Sequence, residues 1–288
     1  MTFLRSVSVT PRAGADLDHH PFDVPAIDAM RRSRQRLRLH RSVTFFVGDN
    51  GSGKSTLLEA IAVNQGFNAE GGTKGMQFST RDDTVSASAH HVTVSRSHRV
   101  PEDFFFLRAE SFFNVATAID EYGSIGFYGH RSLHERSHGE SFIDLLVHRF
   151  APRGLYLMDE PEAALSVHGQ LQLLVRLHDL VAAGCQFVIA THSPILLADP
   201  HATILHFVDD GPESVAWHGV DSVRVTTDFL TDRDAFLDEL LADDATFEDD
   251  ATDDAEDADD ADAADAATTM DADADGRDAR GRPVRRRR

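Results

Sequence analysis

Short apolar runs, separated by polar or helical segments, recur along most of the chain. Four of them are almost entirely apolar and are followed by polar residues, at 42–47, 104–107, 155–158 and 186–190. A run of four to six apolar residues bounded by turn or polar residues is typical of a buried strand. Four such strands with helical segments between them predict an α/β protein built around a buried sheet.

Other segments carry weaker patterns that extend this prediction. Residues 3–10 alternate between polar and apolar positions, as a half-buried strand does. Leucines at helical spacing predict a helix over about 168–182. Residues 203–208 and 214–217 suggest two terminal strands, and a last helix is expected over 229–241.

Composition supports a folded domain with no membrane anchor. The chain has 288 residues, of which 41% are hydrophobic, enough for a real core. No apolar run approaches the roughly 18 residues that a membrane span needs, and no secretory signal precedes the first strand. We therefore expect a cytoplasmic protein without direct membrane insertion. Cys185 is the single cysteine, so an intramolecular disulfide or a cysteine metal site is excluded.

Charge is distributed unevenly along the chain. The net charge of −20 argues against a body that wraps nucleic acid through a broad basic face. Arg31 to Arg41 is basic but contains interleaved leucines, which favours a strand with an exposed charged face rather than a nucleic-acid patch. Residues 243–288 are rich in Asp and Ala and end in an arginine cluster, so they predict a disordered tail. We expect residues 1–242 to form the folded domain, with a helical subdomain at about 112–150.

The strongest motif is a phosphate-binding loop. Gly48–Ser55 fits G-x-x-x-x-G-K-[ST] and lies between a predicted strand and a predicted helix. Backbone N–H groups in such a loop face a polyphosphate, while Lys54 reaches its β- and γ-phosphates and Ser55 coordinates Mg²⁺. The residues expected to bind the nucleotide are Gly48, Asn50, Gly51, Ser52, Gly53, Lys54, Ser55 and Thr56.

A second motif supplies the acidic groups that phosphoryl transfer requires. Asp159 and Glu160 end the apolar strand at 155–158 and precede Pro161. Asp159 is expected to hold Mg²⁺, and Glu160 to orient or deprotonate the attacking water. An acidic pair at the end of a strand is weak evidence for catalysis when it stands alone. Its position downstream of a phosphate loop makes the assignment much stronger.

Four motifs in order give the chain a family resemblance. They are F-L-R-A-E-S-F-F-N, S-H-G-E-S-F, D-E-P-E-A-A-L-S and T-H-S-P-I-L-L, beginning at residues 106, 137, 159 and 191. From Phe3 to about Leu241 the chain resembles the ABC-type ATPase superfamily. More narrowly, it looks like a family of soluble, stand-alone AAA/ABC-type ATPases of bacteria and archaea.

The resemblance implies a fold, a reaction and a partner. The fold is a three-layer α/β P-loop NTPase with a helical signature subdomain, and the reaction is hydrolysis of ATP with Mg²⁺. Lys54, Glu160 and His192 would be catalytic, His192 by contacting the γ-phosphate. Ser137, Gly139 and Glu140 would form the signature that contacts a nucleotide bound by a second subunit. An ATP-dependent homodimer follows from that arrangement.

The chain also departs from its relatives. Transporters carry a coupling glutamine after the strand at 104–107, and here Arg108 or Glu110 takes its place or the role is absent. The sequence has no heptad pattern, so it does not predict the long coiled coil that chromosome-maintenance relatives carry. A transporter subunit, a small-molecule kinase and a non-catalytic nucleotide-gated scaffold stay open as alternatives. A nucleic-acid or protein partner is compatible with the motifs but is not identified by them.

Overall fold

The computed structural model describes residues 2–74, 88–121 and 138–242. The strands are β1 (Leu4–Val9), β2 (Arg36–Arg38), β3 (Val43–Val47), β4 (Val92–Arg96), β5 (Asp103–Arg108), β6 (Gly154–Asp159), β7 (Gln186–Ala190), β8 (Thr203–Val208) and β9 (Gly211–Val215). The α-helices are α1 (Pro25–Ser33), α2 (Lys54–Asn64), α3 (Phe112–Glu121), α4 (His138–His148), α5 (Val167–Ala182) and α6 (Asp221–Thr231). One compact unit spans Met1–Asp232; in a second unit, Arg233–Arg288, residues 233–242 are helical.

The main sheet has six strands in the order β5-β6-β7-β3-β8-β9. All neighbouring pairs are parallel except β8 and β9, which form an antiparallel hairpin. Because the strands are parallel, the carboxyl ends of β3, β5, β6 and β7 meet at one edge of the sheet. That edge is where an open α/β sheet places its ligand site.

Both faces of the main sheet are covered, which makes the unit three-layered. Side chains alternate along a strand, so neighbouring residues of β3 enter different cores. Phe45 packs in a core formed with α3, α4, α5 and α6. Phe46 packs in a second core formed with α1, α2 and strand β1. This double burial explains why the strands appear in the sequence as unbroken apolar runs.

A smaller antiparallel sheet lies in the second layer, with strand order β2-β1-β4. Val7 stands opposite Leu37 on one side and Val94 on the other. Val7 and Leu37 are buried in the same core as α2. The intervening positions Ser6 and Ser8 stand opposite Arg38 and Arg36, which are exposed. One face of this sheet is therefore apolar and covered, and the other is polar.

The predicted three-layer α/β fold is confirmed, and the predicted strands at 42–47, 104–107, 155–158, 186–190 and 203–208 are all present. Helix α5 also lies within a residue of its predicted start. The described parts of 112–150 are helical in α3 and α4. Residues 122–137 and 243–288 lie outside the described residues, so the predictions for the domain bounds and for the tail stay predictions.

Some local predictions were wrong. Residues 25–33 form helix α1, with Pro25 at its first turn, where a proline is well tolerated. Arg31 and Arg32 therefore end a helix and pair with Asp28, and only Arg36–Arg38 form a strand. The expected last helix is divided, because α6 ends at Thr231. Among the described residues, every helix is too short or too polar to span a bilayer.

Candidate functional site

The phosphate loop connects β3 to α2 and depends on glycine at two close approaches. Gly48 and Gly53 have φ angles of 141° and 100°, which side chains disfavour. A Cβ atom on Gly48 would lie 2.6 Å from the carbonyl oxygen of Phe207. A Cβ atom on Gly53 would lie 2.8 Å from Val24 Cγ1. The turn is thus tight against β8 and the start of α1, as a loop that cradles phosphates must be.

Lys54 begins α2 and is only 4% exposed. Its Nζ donates hydrogen bonds to the carbonyl oxygens of Gly48 and Asp49, each at 2.8 Å. Burial lowers the pKa of Lys54, although the nearby carboxylates of Glu160 and Asp159 act in the opposite direction. The ammonium group is therefore held against the loop backbone in a partly desolvated place, where an added anion would be strongly favoured.

Ser55 and Asp159 join the phosphate loop to the end of β6. Ser55 Oγ donates a 2.8 Å hydrogen bond to Asp159 Oδ1, across 104 positions of sequence. Asp159 is 6% exposed, and burial raises the pKa of its carboxyl group. Arg108 and the hydrogen bond from Ser55 oppose that rise. The two side chains predicted to hold Mg²⁺ therefore lie in contact with each other.

Arg108 is the main site residue whose role the sequence left open. It ends β5 in register with Asp159 on β6, and its Nε lies 3.3 Å from Asp159 Oδ2. Its Nη1 lies 2.7 Å from Glu59 Oε2, on helix α2. Burial raises the pKa of Glu59, and Arg108 opposes that rise. Of the two candidates for the place of the transporter glutamine, Arg108 is the one that contacts Asp159.

Glu160 follows Asp159 in a conformation that is unusual for its residue type. Its φ and ψ angles of 49° and 50° lie in the left-handed region, and its backbone N–H donates to Ala190 at 2.9 Å. A non-glycine residue in this region costs on the order of 1 kcal/mol or more, and such residues cluster at functional sites. The strained backbone therefore indicates that Glu160 serves the function of the protein and not its stability.

His192 lies after β7, and Glu162 fixes the backbone there. The N–H of His192 donates a 2.6 Å hydrogen bond to Glu162 Oε1. The other oxygen of Glu162 and the Nε2 atom of His192 are buried and have no hydrogen-bond partner among the described residues. Ser52 Oγ in the phosphate loop is in the same condition. Buried polar atoms are nearly always paired in folded proteins, so the unpaired atom in the phosphate loop and the two at the contact between Glu162 and His192 each indicate a place for a polar ligand.

The signature segment is only partly described. Gly139 and Glu140 lie in the first turn of α4, whereas Ser137 lies outside the described residues. A Cβ atom on Gly139 would come 3.4 Å from the carbonyl oxygen of Ala164, so α4 begins beside the segment that follows Glu160. In that segment Ser166 caps α5, because its Oγ atom accepts a hydrogen bond from the Gly169 N–H.

An open cleft of about 720 Å³ adjoins the phosphate loop, within the size range of small-molecule sites. Residues 49–52 form one side of it and residues 206–210 the other. No sequence pattern connects these segments, because residues 206–210 carry no motif. Their apolar strand pattern with a following acidic turn is typical of any strand that ends at solvent.

Comparison with known proteins agrees with the phosphate-loop prediction. Residues 31–94 match the family model of an AAA domain. Similar solved structures include a metal-chelate type ABC transporter in an inward-facing conformation (16% identity, 76% of this chain, 85% of that chain, TM-score 0.44). Another is an ATP binding subunit of an ABC transporter (17% identity, 84% of this chain, 99% of that chain, TM-score 0.42). A third is the SMC head domain from Thermotoga maritima (14% identity, 75% of this chain, 98% of that chain, TM-score 0.38).

These likenesses differ in what they support. At such identities and TM-scores the solved structures carry no argument about activity or partners. The search of curated proteins found no significant match. The family match runs from the end of α1 into β4, and it therefore includes the whole phosphate loop. For that segment, the predicted resemblance of the chain to AAA-type ATPases is confirmed.

Proposed function

We propose that this protein binds ATP with Mg²⁺ at the phosphate loop and hydrolyses it to ADP and phosphate. The hydrogen bond from Ser55 Oγ to Asp159 Oδ1, at 2.8 Å, is the observation that carries the proposal. It brings together a hydroxyl group of the loop and a carboxylate at a strand end. Phosphoryl transfer in P-loop enzymes requires this pair at one point, because both hold the metal ion.

The residues present fit a nucleotide and a magnesium ion. Positive-φ glycines keep side chains away from the loop, and Lys54 is positioned for phosphate oxygens. Mg²⁺ in such enzymes takes one or two protein ligands and completes its shell with water and phosphate. Ser55 and Asp159 would be those two ligands, and the described part of the chain offers no larger metal cluster. When bound, the ion would neutralise charge that develops on the transferred group.

Three side chains would act on the reaction itself. Glu160 would accept a proton from the attacking water, and its backbone bond to Ala190 keeps it next to β7. His192 would donate from its unpaired Nε2 to the terminal phosphate, so that its loop responds to the presence of that group. Lys54 would exchange its carbonyl partners for phosphate oxygens.

A homodimer completes this proposal. Gly139, which is half-buried, and Glu140, which is exposed, lie in the first turn of α4, with Ser137 directly before that helix. Backbone N–H groups at a helix N-terminus are suited to bind phosphate. We infer that this turn contacts a nucleotide held by a second copy of the chain, and that ATP therefore closes the dimer.

Phosphate release measured with ATP and Mg²⁺ tests the reaction. Wild type should release phosphate, Glu160→Gln should bind ATP without turnover, and Glu213→Gln, at an exposed position of β9, should behave as wild type. Binding without turnover in wild type would instead identify the nucleotide-gated scaffold. A requirement for an acceptor that becomes phosphorylated would identify a kinase.

Sizing tests the dimer separately. Glu160→Gln with ATP should elute as a dimer, and the same variant without nucleotide as a monomer. If it stays monomeric at saturating ATP, the two-subunit arrangement is wrong even if hydrolysis is observed. Co-purification with an integral membrane protein would favour the transporter alternative.

A further inference from the structure

The described residues contain a group of arginines that have no internal partner. Each is exposed and makes neither an ion pair nor a side-chain hydrogen bond within the described chain. Every other described arginine contacts a carboxylate or a carbonyl oxygen, as Arg153 does with Glu102 and Arg176 with the end of α4. The arginines without a partner are Arg5, Arg12, Arg34, Arg36, Arg38, Arg41 and Arg99.

All seven lie in the strands of the antiparallel sheet or in the segments that flank those strands. These segments, residues 2–15, 29–48 and 88–101, contain no aspartate or glutamate, although the chain has 48 acidic residues. The strands β1, β2 and β4 come from distant parts of the sequence and are adjacent only in the fold. The absence of acid from all three indicates a surface that is kept positive, since any carboxylate there would neutralise its neighbours.

Strand register organises the outer face of this sheet into two cross-strand rows. Directly opposed residues of antiparallel strands share one face of the sheet. Val7, Leu37 and Val94 occupy one row on the inner side, where the first two are buried. The rows on the outer side are Arg36, Ser8 and Thr93, and Arg38, Ser6 and Ser95. We call these six residues the arginine face.

The arginine face presents the exposed side chains of Arg36, Arg38 and Thr93, with Ser8 and Ser95 half-buried and Ser6 buried beneath them. No apolar side chain lies in either row. Phosphate oxygens of nucleic acids are bound mainly by Arg and Lys together with Ser, Thr and backbone N–H groups. A membrane surface would be expected to use exposed apolar side chains as well. We propose that the arginine face binds the phosphate backbone of a nucleic acid without reading its sequence.

The net charge of the chain does not oppose this binding as strongly as the sequence suggested. Residues 243–288 carry 17 of the acidic residues against seven arginines, which accounts for half of the net charge of −20. Charges on other surfaces are screened over about 10 Å at 0.1 M salt. A local basic face can therefore attract phosphate although the whole chain is acidic. The proposal shares no residue with the nucleotide site and does not depend on hydrolysis.

Fluorescence anisotropy with labelled double-stranded DNA, single-stranded DNA and RNA, in the absence of ATP, tests this proposal. Wild type should bind at low salt, and its affinity should fall steeply as salt is raised. The double variant Arg36→Gln/Arg38→Gln should lose about tenfold or more in affinity, and the slope of log affinity against log salt should decrease by about two. Its melting temperature should equal that of wild type, because neither arginine has a partner to lose.

The matched control is Arg153→Gln/Arg224→Gln, which makes the same charge change at two exposed, ion-paired arginines outside the acid-free segments. This variant should bind nucleic acid as wild type does. Equal losses in both variants would show that only net charge matters and would overturn the proposal. It is also overturned if wild type binds none of the three probes at low salt. Preference for poly-glutamate or phosphatidylserine vesicles would replace it with an acidic protein or a membrane partner.

Discussion

Two regions of this molecule use arginine in opposite ways. At the edge of the main sheet, Arg108 is largely buried and contacts both Glu59 and Asp159. On the arginine face, Arg36 and Arg38 are exposed and have no partner within the described residues. The first arrangement couples charges from separate elements into one site, and the second leaves charges available to an external partner. Environment, not residue type, decides which task an arginine performs.

Sheet geometry accounts for the difference. In the parallel sheet, Arg108, Asp159 and Ala190 end three neighbouring strands in register, so their side chains and backbone groups must meet. In the antiparallel sheet, Arg36 and Arg38 are exposed on the outer face, and their side chains can avoid each other. We therefore expect substitutions at the first place to affect stability and activity together, and substitutions at the second to affect binding alone.

The largest expected effect is loss of turnover on removal of the buried ammonium group. Lys54→Ala should lower ATP hydrolysis by on the order of 100- to 1000-fold, because a preorganised charge facing the phosphates is lost. Phosphate release at saturating ATP measures this, with Glu213→Gln as the control. Turnover close to that of wild type would remove the phosphate loop from the proposed reaction.

The next effect concerns the stability of the charged cluster. Arg108→Ala should lower the free energy of unfolding by about 3 kcal/mol, since it leaves two buried carboxylates without their partner. Urea unfolding of the nucleotide-free protein measures it. Arg36→Ala should cause no measurable change in the same experiment. If the two variants lost equal stability, the contrast between the two regions would be wrong.

A smaller loss of turnover is expected when the backbone of His192 loses its hydrogen bond to Glu162. Glu162→Ala removes the 2.6 Å acceptor of the His192 N–H and should reduce turnover by up to about 100-fold through misplacement of that loop. Glu162→Gln keeps an acceptor oxygen and should retain most of the activity. Hydrogen exchange at the His192 amide should be fast in the alanine variant only. Equal inactivation by both substitutions would give Glu162 a role in proton transfer instead.

The pH dependence of stability should depend on the same buried acids. Burial raises the pKa of Glu59 and of Asp159, so the folded state retains their protons to higher pH than the unfolded chain. Their contribution to stability is therefore full below the unfolded pKa values and is lost as pH rises through the folded ones. Glu59→Gln should flatten the decline of unfolding free energy above about pH 4. An unchanged slope would mean that Glu59 titrates normally.

The smallest expected effect is at the arginine face. Arg36→Gln/Arg38→Gln should change the free energy of unfolding by less than about 0.5 kcal/mol, as exposed substitutions without lost contacts usually do. Urea unfolding at low and high salt checks this. A gain in stability at low salt would be informative, since it would reveal repulsion among the arginines that the folded protein tolerates.

Local sequence patterns predicted the phosphate loop and most strands of the main sheet. The phosphate loop is contained in eight residues, and the apolar runs around it mark strands that are buried on both faces. For the same reason Asp159 and Glu160 were identified, since they follow a strand directly. Helix α1 was not predicted, because its amphipathic pattern is short and its arginines resemble those of a charged strand.

The sequence by itself determined which residues can hold phosphate and metal, because that chemistry depends on spacing within one turn. Only the tertiary structure decided that Arg108 contacts Asp159 and that Glu162 holds the backbone of His192. It alone also assembled an acid-free face from strands β1, β2 and β4. These relations join residues far apart along the chain, and their physical basis is strand register, which no local pattern specifies.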